Sequence, residues 1–207
     1  FTSPWTSPCV GLRKHREHPR KHALTAPQLA ALGRVLEGER SPYVKSLVLL
    51  LMLTGARKCE ILGLQWKDVD LEAGRALLRR TKTGGDVVQP LAPRAVQALR
   101  ALPIVAGSPY VFPGVKPGRH MVDPIQPFKA ALARAGLPAG TTFHDLRRSY
   151  GTNLARLGYT AEAIAAALHN STDVAAKVYV SISAELVDEM TIAHERALRA
   201  PRKALPR

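Results

Sequence analysis

The chain has 207 residues, enough for one ordinary domain with a sizeable core and an extended arm. It carries 30 Lys and Arg residues against 16 Asp and Glu residues, and the formal net charge of +14 favours a polyanionic partner, nucleic acid first. The longest apolar run, Leu47 to Leu53, is too short to span a bilayer, so the sequence predicts neither a transmembrane segment nor a membrane partner. Cys9 and Cys59 form neither a disulfide framework nor a zinc spacing, which favours a reducing cytoplasm.

The first segment, residues 13–22, is rich in Arg, Lys and His and has almost no apolar residue, which predicts a basic arm outside the core. His15, His18 and His22 lack a structured scaffold and any cysteine partner, so we interpret them as solvated side chains and not as metal ligands.

Helix signals begin at Thr25, which has capping-box spacing to Gln28 and precedes a leucine face. A second helix is expected from Ser41 to a stop near Gly55, followed by a short helical segment from Arg57 to Leu62. Between residues 66 and 91 the pattern changes to short Val- and Leu-rich runs with Gly-containing turns, which predicts a small antiparallel sheet.

After the predicted sheet, the helical periodicity of apolar residues resumes and continues through the rest of the chain. Helices are predicted over residues 93–102, 124–135, 143–157, 160–168, 172–179 and 183–198. The expected fold class is therefore mainly α with a small antiparallel β-sheet (α+β).

Two cations stand beside predicted turns. Arg57 follows the glycine break at Gly55, and Glu60 lies at helical spacing to hold its guanidinium. Lys82 lies at a Gly-rich hairpin tip, from which an ammonium could reach a neighbouring cleft. Taken singly, each is also compatible with an ordinary solvated surface cation.

His144 and Arg147 lie three residues apart on the first turn of a predicted helix, whose N-terminus favours anions. Both side chains could bind one phosphate there, although a capped basic surface would show the same pattern. His169 lies between two predicted helices, and Tyr179 follows it by ten residues. Viewed alone, Tyr179 is better interpreted as a packed structural tyrosine.

The order and spacing of these side chains closely resemble the catalytic set of the tyrosine recombinase (phage integrase) family: Arg57, Lys82, His144, Arg147, His169 and Tyr179. The resemblance covers roughly Leu24 to Glu195 and includes the segments 66–70 and 110–113. The chain departs from the family pattern at Leu168, where glycine is common, and at Asn170, where serine is more common.

The resemblance implies the fold of a tyrosine recombinase catalytic domain and a metal- and ATP-independent DNA strand transferase without cofactors. Tyr179 would be the nucleophile that becomes joined to the 3′ phosphate, and Lys82 would protonate the departing 5′ oxygen. Arg57 and Arg147 would bind the nonbridging oxygens, His169 would donate to them, and His144 would assist proton movement.

The resemblance also implies domain boundaries and partners. Residues 1–23 would be a basic linker that trails an N-terminal core-binding domain, residues 24–199 the catalytic domain, and residues 200–207 a basic tail. The partners would be double-stranded DNA and other protomers of the same protein in a DNA-bound tetramer. The protein would be cytoplasmic and encoded by a bacterium, a phage or another mobile element.

Two alternatives remain open at this stage. A type IB topoisomerase would use a similar fold and similar residues to relax DNA, and a catalytically silent protein could have kept only the basic surface. The amphipathic pattern after Tyr179 suits docking on a neighbouring protomer, but a helix packed on its own domain would look the same.

Overall fold

The computed structural model describes residues 23–79, 85–169 and 184–199, with the side chains of 184–186 excepted. Within these ranges the predicted fold class is confirmed: helices surround a core, and one small antiparallel sheet lies at its side. The helices are α1 (Ala26–Glu37), α2 (Pro42–Thr54), α3 (Lys58–Leu62), α4 (Pro93–Arg100), α5 (Ile125–Arg134), α6 (Phe143–Arg156), α7 (Ala161–Ala167) and α8 (Ala184–Arg199). The strands are β1 (Val69–Asp70), β2 (Arg75–Leu78) and β3 (Val87–Pro90), and a 3-10 turn spans Trp66–Asp68.

The central element of the core is α2, which packs against α1, α3, α4, α5, α6 and α8. Most of its residues are buried, as expected for a helix that is apolar on all faces. The Ser41 hydroxyl caps its N-terminus by accepting from the Val44 amide at 3.3 Å. It ends at Gly55 in the left-handed conformation, with φ 64°. Both predicted boundaries of α2 are confirmed.

The sheet has the order β1-β2-β3, with both neighbouring pairs antiparallel. Ala76 is paired with Gln89, so these two side chains occupy the same face, and both are buried. The predicted hairpin tip with Lys82 lies outside the described residues.

The last described helix, α8, packs against α1, α2, α6 and α7 of its own chain. Met190 and His194 lie in this contact, fully buried, and His194 Nε2 donates to the Met52 carbonyl at 3.1 Å. The sequence left open whether this helix docks on a neighbouring protomer or packs on its own domain. In the structure of the single chain, α8 packs on its own domain. The predicted helix 172–179 lies outside the described residues. No helix in the described ranges is long and apolar enough to cross a membrane.

Candidate active site

Arg57 is held by the carboxylate that its helical spacing predicted. It lies at the N-terminus of α3 in extended conformation, directly after the turn at Gly55. Its backbone amide donates to Glu60 Oε2 at 2.8 Å, and its Nη1 donates to Glu60 Oε1 at 2.8 Å. The side chain of Glu60 is 8% exposed, whereas that of Arg57 is 40% exposed. A buried carboxylate therefore orients a guanidinium that still reaches the surface.

The first turn of α6 is fixed by a reciprocal cap between Thr142 and Asp145. The Thr142 amide donates to Asp145 Oδ2 at 2.8 Å, and the Asp145 amide donates back to the Thr142 hydroxyl at 3.3 Å. The helix start thus presents His144 to solvent, while Arg147, three residues further, is buried. As predicted, both lie on the first turn of one helix.

Arg147 joins three segments that are distant in sequence. Its Nη1 donates to the Gly55 carbonyl at 2.6 Å, and its Nη2 donates to the Leu168 carbonyl. The end of α2, the start of α6 and the end of α7 therefore meet at one guanidinium. A guanidinium carries five N–H donors in a fork, so one edge can bind carbonyls while another binds phosphate oxygens.

His169 follows α7 in a left-handed backbone conformation, with φ 50°. Its amide donates to the Ala166 carbonyl at 2.9 Å, and its side chain is buried. The preceding Leu168, which stands where the family commonly has glycine, fills the space beside Gly55 and Gly151. A Cβ on Gly151 would lie 3.1 Å from Leu168 Cδ1, so small residues opposite accommodate the larger side chain.

Sequence reasoning missed one residue of the site, Gln89. Its Oε1 lies 2.9 Å from His169 Nε2, and the amide is almost completely buried on β3. The sequence feature that could have indicated it is a polar residue at an inward-facing position of the short strand Val87–Pro90.

Arg57, His144 and Arg147 line one cavity of about 610 Å³, whose apolar wall includes Ile125 and Phe128. The pKa of His144 is lowered, first by partial burial and then by the positive charges of Arg148, Arg147 and Arg57; Asp145 opposes the shift. The nearby guanidiniums thus disfavour the protonated imidazole. Near neutral pH the ring favours the neutral form, which can accept a proton.

The structure thus places four of the six predicted side chains, three of them around one cavity and His169 beside the loop that Arg147 holds. Lys82 and Tyr179 lie outside the described residues. Among the described residues, no three His, Cys, Asp or Glu side chains are grouped to hold a metal ion. The catalytic roles and the independence from cofactors remain predictions.

Comparison with known proteins identifies the family. The sequence profile described as "Phage integrase family" matches residues 22–185. The tyrosine recombinase XerD of Mycobacterium leprae is 28% identical over 195 residues, covering 84% of this chain and 61% of that protein. The chain belongs to the phage integrase family, and it spans less than two thirds of the length of the first relatives that it matches.

Solved structures agree on the fold. The XerA recombinase superposes with a TM-score of 0.64 at 22% identity, covering 92% of this chain and 68% of that one. A lambda integrase dimer bound to a COC′ core site gives a TM-score of 0.61 at 19% identity, covering 79% of this chain and 63% of that one. The fold is therefore that of the tyrosine recombinase catalytic domain.

Proposed function

We propose that the protein is a site-specific DNA recombinase that cuts and rejoins DNA strands through a covalent 3′-phosphotyrosyl link to Tyr179, in integration, excision or resolution. The observation that carries the proposal is the convergence of Arg57, His144 and Arg147 on one cavity at a capped helix N-terminus. Membership of the phage integrase family supports it.

The proposed cleavage exchanges one phosphodiester bond for another. The Tyr179 oxygen attacks phosphorus, the bond from phosphorus to the 5′ oxygen breaks, and Lys82 gives that oxygen a proton. Neutral His144 takes the phenol proton. Arg57 and Arg147 bind the nonbridging oxygens, on which negative charge grows in the transition state, and His169 donates to the same oxygens.

Rejoining runs the same steps in reverse. A 5′ hydroxyl from a second DNA end attacks the phosphotyrosine, its proton returns to Lys82, and Tyr179 leaves. The phosphotyrosine conserves the bond energy, so this scheme needs neither ATP nor a bound metal.

The partners in this proposal are double-stranded DNA and further protomers in a DNA-bound tetramer. The net charge of +14 supports phosphate contacts. The similar structure of the Tn1549 transposon integrase is a complex with circular intermediate DNA. Recombination is favoured over topoisomerase-like relaxation because the similar proteins are recombinases and integrases. Within the chain, we assign residues 24–199 to catalysis and the basic segments 1–23 and 200–207 to flanking regions.

The test is covalent capture of DNA. The protein is incubated with a library of nicked duplexes whose central sequence is randomised, then denatured, and the DNA attached to protein is sequenced. We expect an adduct enriched in one sequence class, formed in chelator and without nucleotide. Tyr179→Phe should bind DNA and form no adduct, while the matched control Tyr159→Phe should form it at the normal yield.

An adduct of normal yield from Tyr179→Phe would refute the nucleophile assignment. Activity restored specifically by magnesium or zinc would refute the metal-independent scheme. Once a site is known, a plasmid that carries two copies separates the activities, because a recombinase yields exchanged products whereas a topoisomerase yields only relaxed topoisomers.

A further inference from the structure

A buried amide on the sheet contacts the histidine that ends α7. Gln89 on β3 is 1% exposed and His169 is 5% exposed, and their side chains meet at 2.9 Å although 80 residues separate them in sequence. In sequence, the contact joins the strand that follows Lys82 to the turn after α7, which precedes Tyr179.

The hydrogen-bond network fixes the direction of this bond. Gln89 Nε2 donates to the Pro90 carbonyl at 3.2 Å, so its Oε1 is the atom that faces the imidazole. An amide oxygen only accepts, and the proton of the contact therefore lies on His169 Nε2. The Nε2–H group is therefore a donor that this ring can offer to a phosphate oxygen, and Gln89 is the residue that holds it.

The backbone conformation of His169 is imposed by contacts of the surrounding segments. A non-glycine residue at φ 50° is strained, and such strain persists only where neighbouring contacts hold it. Two contacts hold this turn: Arg147 binds the carbonyl of Leu168, and the His169 amide binds Ala166. Gln89 adds the bond to the ring.

We propose that Gln89 is a positioning residue for His169. Its side-chain oxygen keeps the proton on Nε2 and holds the ring next to the turn that Arg147 binds, so that the same N–H can pass to a nonbridging phosphate oxygen when DNA binds. The catalytic consequence rests on the proposed recombinase function, whereas the tautomer and the orientation of the ring do not.

The first test is direct and needs no DNA. In ¹⁵N-labelled protein, two-bond ¹H–¹⁵N spectra report which ring nitrogen of His169 carries the proton; assignment uses His169→Ala. We expect the Nε2–H tautomer in the wild-type chain. Gln89→Glu keeps an acceptor oxygen at this position, so Nε2 should stay protonated there, and the carboxylate should favour a second proton on the ring. Gln89→Leu should lose the fixed tautomer. An Nδ1–H ring in the wild-type chain, or a spectrum unchanged in Gln89→Leu, would overturn the proposal.

The second test is kinetic. Hydrogen-bond partners that orient metal-ligating histidines typically contribute about 10- to 100-fold to activity. We expect a similar factor here, so Gln89→Leu should slow adduct formation by about 10- to 100-fold while DNA affinity stays unchanged. Gln89→Glu should recover most of the rate. In a His169→Ala background, Gln89→Leu should have no further effect, because Gln89 acts through that ring. Leu78→Ala on β2, a buried position of the same sheet, controls for general loss of stability.

The outcomes separate the two proposals. Equal slowing by Gln89→Leu with and without His169 would assign Gln89 a merely structural role. A wild-type chain that forms no adduct would count against the recombinase proposal, and the tautomer would still decide the role of Gln89. If Gln89→Leu does not fold, two other measurements decide the role of Gln89. An Nε2–H ring in the wild-type chain together with a near-normal rate in Gln89→Glu would support the proposal, and an Nδ1–H ring would overturn it.

Discussion

The turn at Gly55 offers a sharp test of how the site is assembled, by the substitution Gly55→Ala. Gly55 has φ 64°, and an added Cβ would lie 2.7 Å from Tyr150 Cδ1 and 2.8 Å from Leu168 Cδ2. The Gly55 carbonyl also accepts the bond from Arg147 Nη1. One methyl group should therefore disturb the fold and the position of a predicted catalytic guanidinium together.

The expected loss has two parts. A non-glycine residue in the left-handed region costs about 1–2 kcal/mol. Forcing a methyl into a packed core costs about 1–3 kcal/mol more, because Tyr150 and Leu168 are held by their own neighbours. The free energy of unfolding should fall by about 2–5 kcal/mol, and in a chain of this size Tm should fall by roughly 4–20 °C.

Gly136→Ala is the matched control, because Gly136 has φ 64° as well but no atom within 4 Å of its added Cβ. It should show only the backbone part, about 1–2 kcal/mol. Urea unfolding followed by circular dichroism measures both variants. If Gly55→Ala loses no more stability than Gly136→Ala, the packing argument is wrong. Well below its Tm, Gly55→Ala should also form the DNA adduct more slowly than Gly136→Ala.

Three further predictions concern charge and protons. Burial lowers the pKa of His194 from 6.5 to about 4. Between these two pH values the imidazole binds a proton in the unfolded chain and stays neutral in the folded chain. The free energy of unfolding should therefore fall by about 3 kcal/mol as the pH is lowered from 6.5 to 4. Urea unfolding at a series of pH values should show this slope, and His194→Gln should flatten it. Glu60→Gln removes the charge of the carboxylate that holds Arg57 and should slow adduct formation by roughly 10- to 100-fold with little change in DNA affinity. Lys82→Ala should slow cleavage by about 10²- to 10⁴-fold, and a 5′-bridging sulfur, which leaves without a proton, should restore most of the rate.

Each of these predictions has a contrary outcome. Equal pH slopes in the wild-type chain and in His194→Gln would show that other groups carry the acid sensitivity. A normal adduct rate in Glu60→Gln would show that Arg57 is oriented without that charge. Arg57→Ala should stay slow on the sulfur substrate, because charge on the nonbridging oxygens is still uncompensated. Equal rescue of Lys82→Ala and Arg57→Ala would remove Lys82 as the general acid.

The amino-acid sequence alone determined the features that depend on near neighbours in the chain. The leucine face of α1 and the stop of α2 at Gly55 follow from helical periodicity and from the conformational freedom of glycine, and the structure confirms both. The Arg57–Glu60 pair is equally local, because helical spacing brings a carboxylate to a guanidinium three residues away. The family, too, was recognisable from the order of six side chains, and comparison confirms it.

Only the tertiary structure decided which distant groups meet. Arg147 reaches the Gly55 carbonyl across 92 residues, and Gln89 reaches His169 across 80. The left-handed backbone of His169 follows from the same packing, because its strain is held by contacts from other segments. No periodicity encodes such pairs, since they depend on how α2, α6, α7 and the sheet pack around one core, and hydrophobic burial sets that packing without regard to distance along the chain.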